Sequence, residues 1–253
     1  MLLSWQKNKI FPGKREVLLF CLFMYKGGLC LDIFDIEFIM KYYKYFIRGT
    51  TVTLGVSFFG VIFGTIVGVL LSLMKLSNNK ILKGVSTSYI ELVRGTPLLV
   101  QLYIVYYGFP MFLPFELSRL TLGTIAVLLN SAAYVAEIIR AGIQSIDKGQ
   151  MEAARSLGMP YGMAMRHIII PQAFKNILPA LGNEFIVLIK ESAIISVVGI
   201  HDIMYNADTL RGITYKPFIP LVYAALIYFV ITFSLSKLLG IFERRLRAGD
   251  TNN

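Results

Sequence analysis

The chain contains few of the residues on which enzyme and metal chemistry usually depend. Among its 253 residues there are only two cysteines, Cys21 and Cys30, and two histidines, His167 and His201. The histidines lie in separate segments without the HExxH spacing, and no cysteine cluster accompanies them, so neither a metal site nor a transmembrane hydrolase is predicted. The cysteines lie in or near an apolar run, where they are interpreted as small apolar side chains.

The chain also lacks a Gly-x-x-x-x-Gly-Lys-Ser/Thr segment, the loop that cradles nucleotide phosphates in ATPases. Charged residues make up 16% of the chain and hydrophobic residues 56%, with a mean hydropathy of +0.65. This composition is too apolar for a soluble domain and indicates a polytopic membrane protein. The net charge of +10 gathers in short segments beside apolar runs, so membrane lipid, and no nucleic acid, is the expected partner.

The apolar runs predict an all-α membrane helix bundle with five core transmembrane helices. We expect these spans at about residues 50–74, 88–113, 121–142, 177–199 and 218–242. In the first span Gly60, Gly64 and Gly68 recur every four residues, a spacing that favours close helix packing in a bilayer. The second span contains Pro97, which predicts a kink.

The chain is divided into three parts. Residues 1–33 form an uncertain N-terminal extension, because the apolar run at 17–25 is too short to span a bilayer. It is an uncleaved signal-like segment, an extra tilted span, or sequence upstream of the true start, and the last is favoured. Residues 34–248 are the predicted transmembrane domain, and 249–253 a polar tail. Within the domain, 34–48 predict an amphipathic helix lying at the membrane surface, with basic side chains able to snorkel.

A polar, helix-prone segment, residues 149–173, interrupts the apolar runs. Its first part predicts a short helix that ends near Gly158, since glycine followed by proline stops a helix and glycine accepts the left-handed cap. Met151, Ala154 and Leu157 recur at helical spacing and predict one apolar stripe. A second helical piece is predicted from residue 161 to 170, ended by Pro171.

Several motifs carry a family resemblance. Glu152-Ala153-Ala154, then Gly158, then Ile168-Ile169-Ile170-Pro171 resemble the cytoplasmic EAA loop of the membrane subunits of ATP-binding-cassette importers, with Ile170 in place of the usual Leu. Residues 49–54 (GTTVTL) and 91–101 (ELVRGTPLLVQ) resemble the polar amino acid permease group of the same superfamily. The chain is therefore similar to permease subunits over nearly all of residues 38–248.

The resemblance implies a non-catalytic subunit that forms the translocation pathway for an amino acid. Its implied partners are two ATPase (nucleotide-binding) subunits, an extracytoplasmic substrate-binding protein and a second permease subunit in a homodimer or heterodimer. No cofactor is expected on this chain, because ATP and Mg would bind the ATPase. The residues implied in coupling to the ATPase are Glu152, Ala153, Ala154, Gly158 and Pro171. The alternatives are an importer subunit for another small solute and a membrane channel or scaffold.

The candidate pathway residues lie near the middle of two predicted spans. Asn130 and Ser131 are central in the third span, and Glu184 and Lys190 lie at similar depth in the fourth. Transport sites favour the bilayer midplane, and a zwitterion needs both an anionic and a cationic partner. Five spans that start outside place the basic segments in the cytoplasm. We therefore expect a multi-pass protein of a prokaryotic cell membrane, with the N-terminus of the core outside and the C-terminus cytoplasmic.

Overall fold

The computed structural model describes residues 35–248, and within that range it consists of helices and connecting turns without a strand. The helices are α1 (Ile36–Leu76), α2 (Lys80–Gly95), α3 (Leu98–Phe112), α4 (Arg119–Gln144), α5 (Lys148–Ser156), α6 (Tyr161–Ala164), α7 (Ile170–Glu191), α8 (Ile203–Thr214) and α9 (Ile219–Ala248). A π-helical stretch lies inside α3 and another joins α6 to α7, while a 3₁₀ helix follows α7. The predictions for residues 1–33 and 249–253 fall outside the described residues.

Three of these helices are long and apolar enough to cross a membrane. They are α1, α4 and the part of α9 from Ile219 to Leu246, and α3 is a shorter apolar helix. The predicted all-α membrane bundle is therefore confirmed. The number of five core spans stays a prediction, because α2 and α7 do not meet the same criteria of length and composition.

Helix α1 begins before the predicted first span. Residues 36–48, within the segment predicted as an amphipathic surface helix, are helical but continue without a break into that span. Their position at the membrane surface stays a prediction. Asp35 caps its N-terminus by accepting a hydrogen bond from the Phe38 amide at 2.9 Å. Phe38 and Phe46 are buried against α8 and α9. The amphipathic pattern of this segment thus reflects packing on one side by other helices.

Glycines bring α1 and α4 into close contact, as their spacing predicts. A Cβ atom on Gly68 would lie 2.7 Å from Val135 Cγ1, and one on Gly64 would lie 3.0 Å from Ser131 Cβ. Such distances leave no room for a side chain between the two helices. The glycines therefore fix how deeply α4, which carries part of the candidate site, sits against α1.

Two glycines of α1 give a matched test of close packing. A Cβ atom on Gly49 would lie 2.8 Å from backbone atoms of Asp202 and Ile203, whereas nothing lies within 4 Å of one on Gly55. We expect Gly49→Ala to cost roughly 1–3 kcal/mol of stability, since backbone cannot move aside as a side chain can. Gly55→Ala should be neutral or stabilising. Thermal unfolding of both variants in detergent measures the difference, and equal melting temperatures would contradict the packing described here.

The segment predicted as the second span consists of two helices, α2 and α3. Helix α2 ends at Gly95 and α3 begins at Leu98, with Thr96 in an extended conformation before Pro97. Proline disfavours a helical conformation in the residue before it and has no N–H to continue the hydrogen-bond ladder, so a break replaces the predicted kink. Gln101 Nε2 donates to the carbonyls of Val93 at 2.7 Å and Thr96 at 3.0 Å. This side chain ties the two helices together across the break.

The buried carboxyl group of Asp202 caps the N-terminus of α8. The Asp202 side chain accepts a hydrogen bond from the Tyr205 amide at 2.8 Å and one from the Tyr228 hydroxyl at 3.4 Å. Asp202 has no exposed surface, and this burial raises its pKa from the usual 3.8 to about 6. The folded protein therefore binds this proton more tightly than the unfolded chain.

A pH dependence follows for Asp202→Asn. The raised pKa favours folding most below the unfolded value, near pH 4, and this contribution is lost as the pH rises through about 6. Asparagine keeps the acceptor for Tyr205 but carries no charge, so the variant should be more stable than wild type at neutral pH by up to about 3 kcal/mol. Near pH 4 the two proteins should unfold alike. Thermal unfolding across this range checks the prediction, and a stability difference that does not change with pH would contradict it.

Candidate functional site

The loop between α4 and α6 contains a short, well-capped helix, α5. The Asp147 side chain accepts a hydrogen bond from the Gly149 amide at its start. At its end Gly158 has φ +84°, and its amide donates to the Arg155 carbonyl at 3.0 Å. The predicted short helix closed by a left-handed glycine is therefore confirmed.

The apolar stripe predicted for α5 is only partly buried. Ala154 is 2% exposed, whereas Leu157 is 85% exposed. Leu157 directly follows α5 and is the last residue to make the helical hydrogen bond, from its amide to the Ala153 carbonyl, and the described residues that cover Ala154 do not cover its side chain. Glu152 and Ala153 are also exposed, and α5 packs against α6 and the π-helical stretch that follows. We call the exposed set Glu152, Ala153 and Leu157 the EAA surface.

Pro171 does not end a helix, contrary to the prediction. The chain continues from α6 through the π-helical stretch Met165–Ile169 into α7, with Pro171 in its first turn. The Ile170 amide donates to the Met165 carbonyl, five residues back. The wider π turn just before the proline is a common way to accommodate a residue that cannot donate a hydrogen bond. The loop is thus connected to α7 by uninterrupted helical backbone.

An ionic cluster joins the ends of α1, α2 and α4. The Glu137 carboxylate lies 2.5 Å from Lys75 Nζ, 2.8 Å from Arg140 Nη2 and 3.7 Å from Arg94 Nη1. Arg94 also lies over the Tyr134 ring, 5.6 Å from its centroid. The pairing of Glu137 with Arg140 agrees with their spacing, whereas the contacts with Lys75 and Arg94 require the tertiary fold. The cluster fixes the positions of three helix ends beside the cavity described next.

A cavity of about 660 Å³ opens between the start of α3, the middle of α4 and the end of α7. Its polar lining includes Asn130, Tyr134, Lys190 and Glu191. Asn130 is only 3% exposed, and its Nδ2 donates to Gln101 Oε1 at 3.0 Å. Its Oδ1 has no hydrogen-bond partner among the described residues. This oxygen is itself buried, so Asn130 contributes to the cavity wall and to the contact between α3 and α4 rather than offering an open acceptor.

The four predicted pathway residues fall into two pairs. Asn130 and Lys190 line the cavity together. Ser131 and Glu184 are buried elsewhere, where the Ser131 hydroxyl donates to Glu184 Oε1 at 3.4 Å between α4 and α7. Glu191 lines the cavity although it was not among the four candidates; its position next to Lys190 is the sequence signal that could have identified it.

The opposite charges of the cavity are not neutralised by ion pairs. Lys190 and Glu191 are both exposed, and neither lies within ion-pair distance of an oppositely charged side chain in residues 35–248. Charges at membrane depth are costly unless they meet water, a partner or a ligand. The cavity therefore presents one cation, Lys190, and one anion, Glu191.

Residues 20–248 match the family described as binding-protein-dependent transport system inner membrane component, and the chain belongs to this family. It is thus the non-catalytic, membrane-spanning permease component of a transport system whose ATP hydrolysis lies on a separate subunit.

Named relatives lie within the same family. The arginine transport system permease protein ArtQ of Bacillus subtilis (strain 168) is 45% identical over 206 residues, 81% of this chain and 94% of that protein. The putative glutamine transport system permease protein GlnP of Rickettsia conorii is 43% identical over 213 residues, 83% of this chain and 98% of that protein.

Solved structures share the fold. A crystal structure of an amino acid ABC transporter with histidines has a TM-score of 0.80 and 54% sequence identity, with 83% of this chain and 98% of that chain covered. The inward-facing MetNI methionine ABC transporter has a TM-score of 0.68 at 19% identity, over 80% of this chain and 96% of that chain. This second likeness concerns the fold alone.

Proposed function

We propose that this permease subunit imports an amino acid and that the cavity between α3, α4 and α7 holds its zwitterionic part. The observation that carries the proposal is that Lys190 and Glu191, of opposite charge, line the same cavity. The ammonium of Lys190 suits a carboxylate, and the Glu191 carboxylate suits an α-ammonium group. The names of the related arginine and glutamine permeases support this class of substrate.

The cavity volume also supports a small substrate. About 660 Å³ lies within the range of pockets that hold small molecules. The opening is formed by the break at Thr96-Pro97, which exposes non-helical backbone to the cavity. Irregular backbone is tolerated at membrane depth where it lines a cavity, and transporters use it for substrate binding.

In the proposed mechanism the EAA surface docks on an ATPase subunit in the cytoplasm. Leu157 offers an apolar side chain at the tip of the loop, and Glu152 and Ala153 complete the contact. Ala154 holds α5 against the membrane part, Gly158 permits the tight turn, and Pro171 lies in the helical connection to α7. Movement of α5 on ATP binding would be transmitted through that connection to Lys190 and Glu191 at the other end of α7.

The remaining partners are those that the family implies. A second permease subunit, identical or different, would complete the pathway, and an extracytoplasmic binding protein would deliver the substrate. With the N-terminal end of α1 outside, the turn after α1, the loop of α5 and the arginines at 244–247 all lie on the cytoplasmic side. This orientation agrees with the bias of basic residues toward the cytoplasm.

Reconstitution tests the proposed function. The full chain is placed in sealed vesicles with its ATPase subunit and the binding protein, and uptake of radiolabelled amino acids is compared with uptake of a sugar. We expect amino acid uptake that requires ATP and the binding protein. Uptake of a different solute class would support an importer for another small solute, and flux without ATP would favour a channel. Either outcome would contradict the proposal.

A further inference from the structure

The N-terminal part of α1 carries a row of basic side chains on its outer face. Lys41, Lys44 and Arg48 are all exposed and follow one another at intervals of three and four residues. Residues at this spacing lie on the same side of a helix, so the three form one line, here called the basic row. The buried side, with Phe38 and Phe46 packed against α8 and α9, lies about 120° around the helix from this row. Lys41, the residue nearest that side, also lines a small pocket with Asp35, Glu37 and Lys216.

The basic row continues into the lipid-facing side of the span. The same helical intervals lead from Arg48 through Gly55 to a series of exposed apolar side chains. These are Ile62, Ile66, Val69 and Leu73. Exposed apolar residues on a membrane-spanning helix contact lipid tails or another helix. The row therefore lies directly above a surface of α1 suited to acyl chains.

The apolar part of α1 begins at Thr50, which places Arg48 and Lys44 near the level of the lipid headgroups. Along the helix axis Arg48 lies about 3 Å and Lys44 about 9 Å beyond Thr50, and the headgroup layer on each side of the hydrocarbon core is about 5–8 Å deep. Lys41 lies about one turn further from the core. Tilting of the helix shortens these distances along the bilayer normal, and basic side chains extend toward the headgroups.

The charges of the row are available to an anionic ligand. Within residues 35–248, no acidic side chain lies within ion-pair distance of Lys44 or Arg48, and Lys41 contacts the Tyr42 ring at 5.4 Å. The nearest acidic residue on the same face is the exposed Glu37, one turn further from the membrane core. Asp35 is engaged by Lys216 at 2.6 Å.

From this arrangement we infer that the basic row is a binding site for the headgroup of an anionic phospholipid, whose acyl chains lie along the apolar face of α1 below it. Charge complementarity favours a phosphate group, and the continuity of the row with the lipid-facing surface favours a lipid over a soluble protein. In the orientation proposed above, this end of α1 lies outside the cell, where the general bias disfavours basic residues. A specific ligand gives a reason for keeping three of them there.

The test measures lipid binding by the purified full chain. Native mass spectrometry follows titration with phosphatidylglycerol and with phosphatidylcholine of the same acyl chains. Replacing Lys41, Lys44 and Arg48 together by glutamine should weaken phosphatidylglycerol binding about fivefold per neutralised charge. Phosphatidylcholine binding should be unchanged, and the charge-preserving variant with Lys44→Arg and Arg48→Lys should bind phosphatidylglycerol as wild type does.

A variant that should strengthen lipid binding provides an internal control. Glu37→Gln removes a negative charge from the same face and should strengthen phosphatidylglycerol binding. Because all these side chains are exposed, the variants should melt at the wild-type temperature. Wild-type phosphatidylglycerol affinity in the triple glutamine variant would overturn the inference. It would also be overturned if that variant bound both lipids equally more weakly, or if it lost only the binding of the extracytoplasmic partner protein. None of these readouts depends on the substrate, so they are independent of the uptake test.

Discussion

Replacing Leu157 by glutamate should reduce association with the ATPase subunit and binding-protein-stimulated ATP hydrolysis at least tenfold. Leu157 is 85% exposed at the end of α5, so the change removes no packing within the chain. In a docked complex, however, it would replace a buried apolar side chain, worth about 1.5–3 kcal/mol, by a charge. The measurement is co-purification with the ATPase subunit, followed by hydrolysis assays in vesicles.

The control for this prediction is Ile213→Glu. Ile213 is also an exposed apolar side chain, but it lies on α8, in the segment assigned to the other side of the membrane. It should leave association with the ATPase unchanged. Two further variants, Glu152→Lys and Gly158→Trp, should behave as Leu157→Glu does. If all three assemble and hydrolyse ATP normally, the EAA surface is not the coupling surface and the channel or scaffold interpretation must be reconsidered.

Neutralising the cavity charges should impair uptake without affecting assembly. Lys190→Gln and Glu191→Gln each remove one charge-assisted hydrogen bond to a zwitterion, worth about 1.5–3 kcal/mol, which corresponds to a rise of roughly 10–100-fold in the KM for uptake. Asn130→Leu should act in the same direction, because it removes the hydrogen bond to Gln101 that holds α3 against α4 at the cavity wall. Uptake by vesicles, with ATPase association measured in parallel, checks this prediction.

Ser131 and Glu184 provide the controls for this prediction, because the structure separates them from the cavity residues. They were candidates of equal standing with Asn130 and Lys190, but they bond to each other away from the cavity. Ser131→Ala should therefore leave the KM near its wild-type value. Glu184 is a less clean control, because its carboxyl group is close enough to Glu191 for the two to repel each other. If Ser131→Ala raises the KM while Lys190→Gln and Glu191→Gln do not, the site has been assigned to the wrong helix faces.

How well a feature could be predicted from the sequence depended on whether neighbouring or distant residues determine it. The membrane class came from composition, and the short helix with its left-handed Gly158 came from capping chemistry within a few residues. The same local reasoning was wrong at Pro171, where a π turn lets the helix continue. It also did not predict that residues 36–48 form one continuous helix with the span that follows. An amphipathic pattern indicates that one face of a helix is covered, but it does not indicate whether protein or membrane lipid covers that face.

By itself, the sequence determined that this is a helical membrane protein with a capped polar loop, because apolar length and helix termini depend on neighbouring residues. Only the tertiary structure decided which polar side chains meet. Asn130 bonds to Gln101 across 29 residues and Ser131 to Glu184 across 53, although Asn130 and Ser131 are adjacent in the chain. Adjacent residues on a helix point about 100° apart, so the packing of α3 and α7 around α4 directs one toward the cavity and the other into a helix interface.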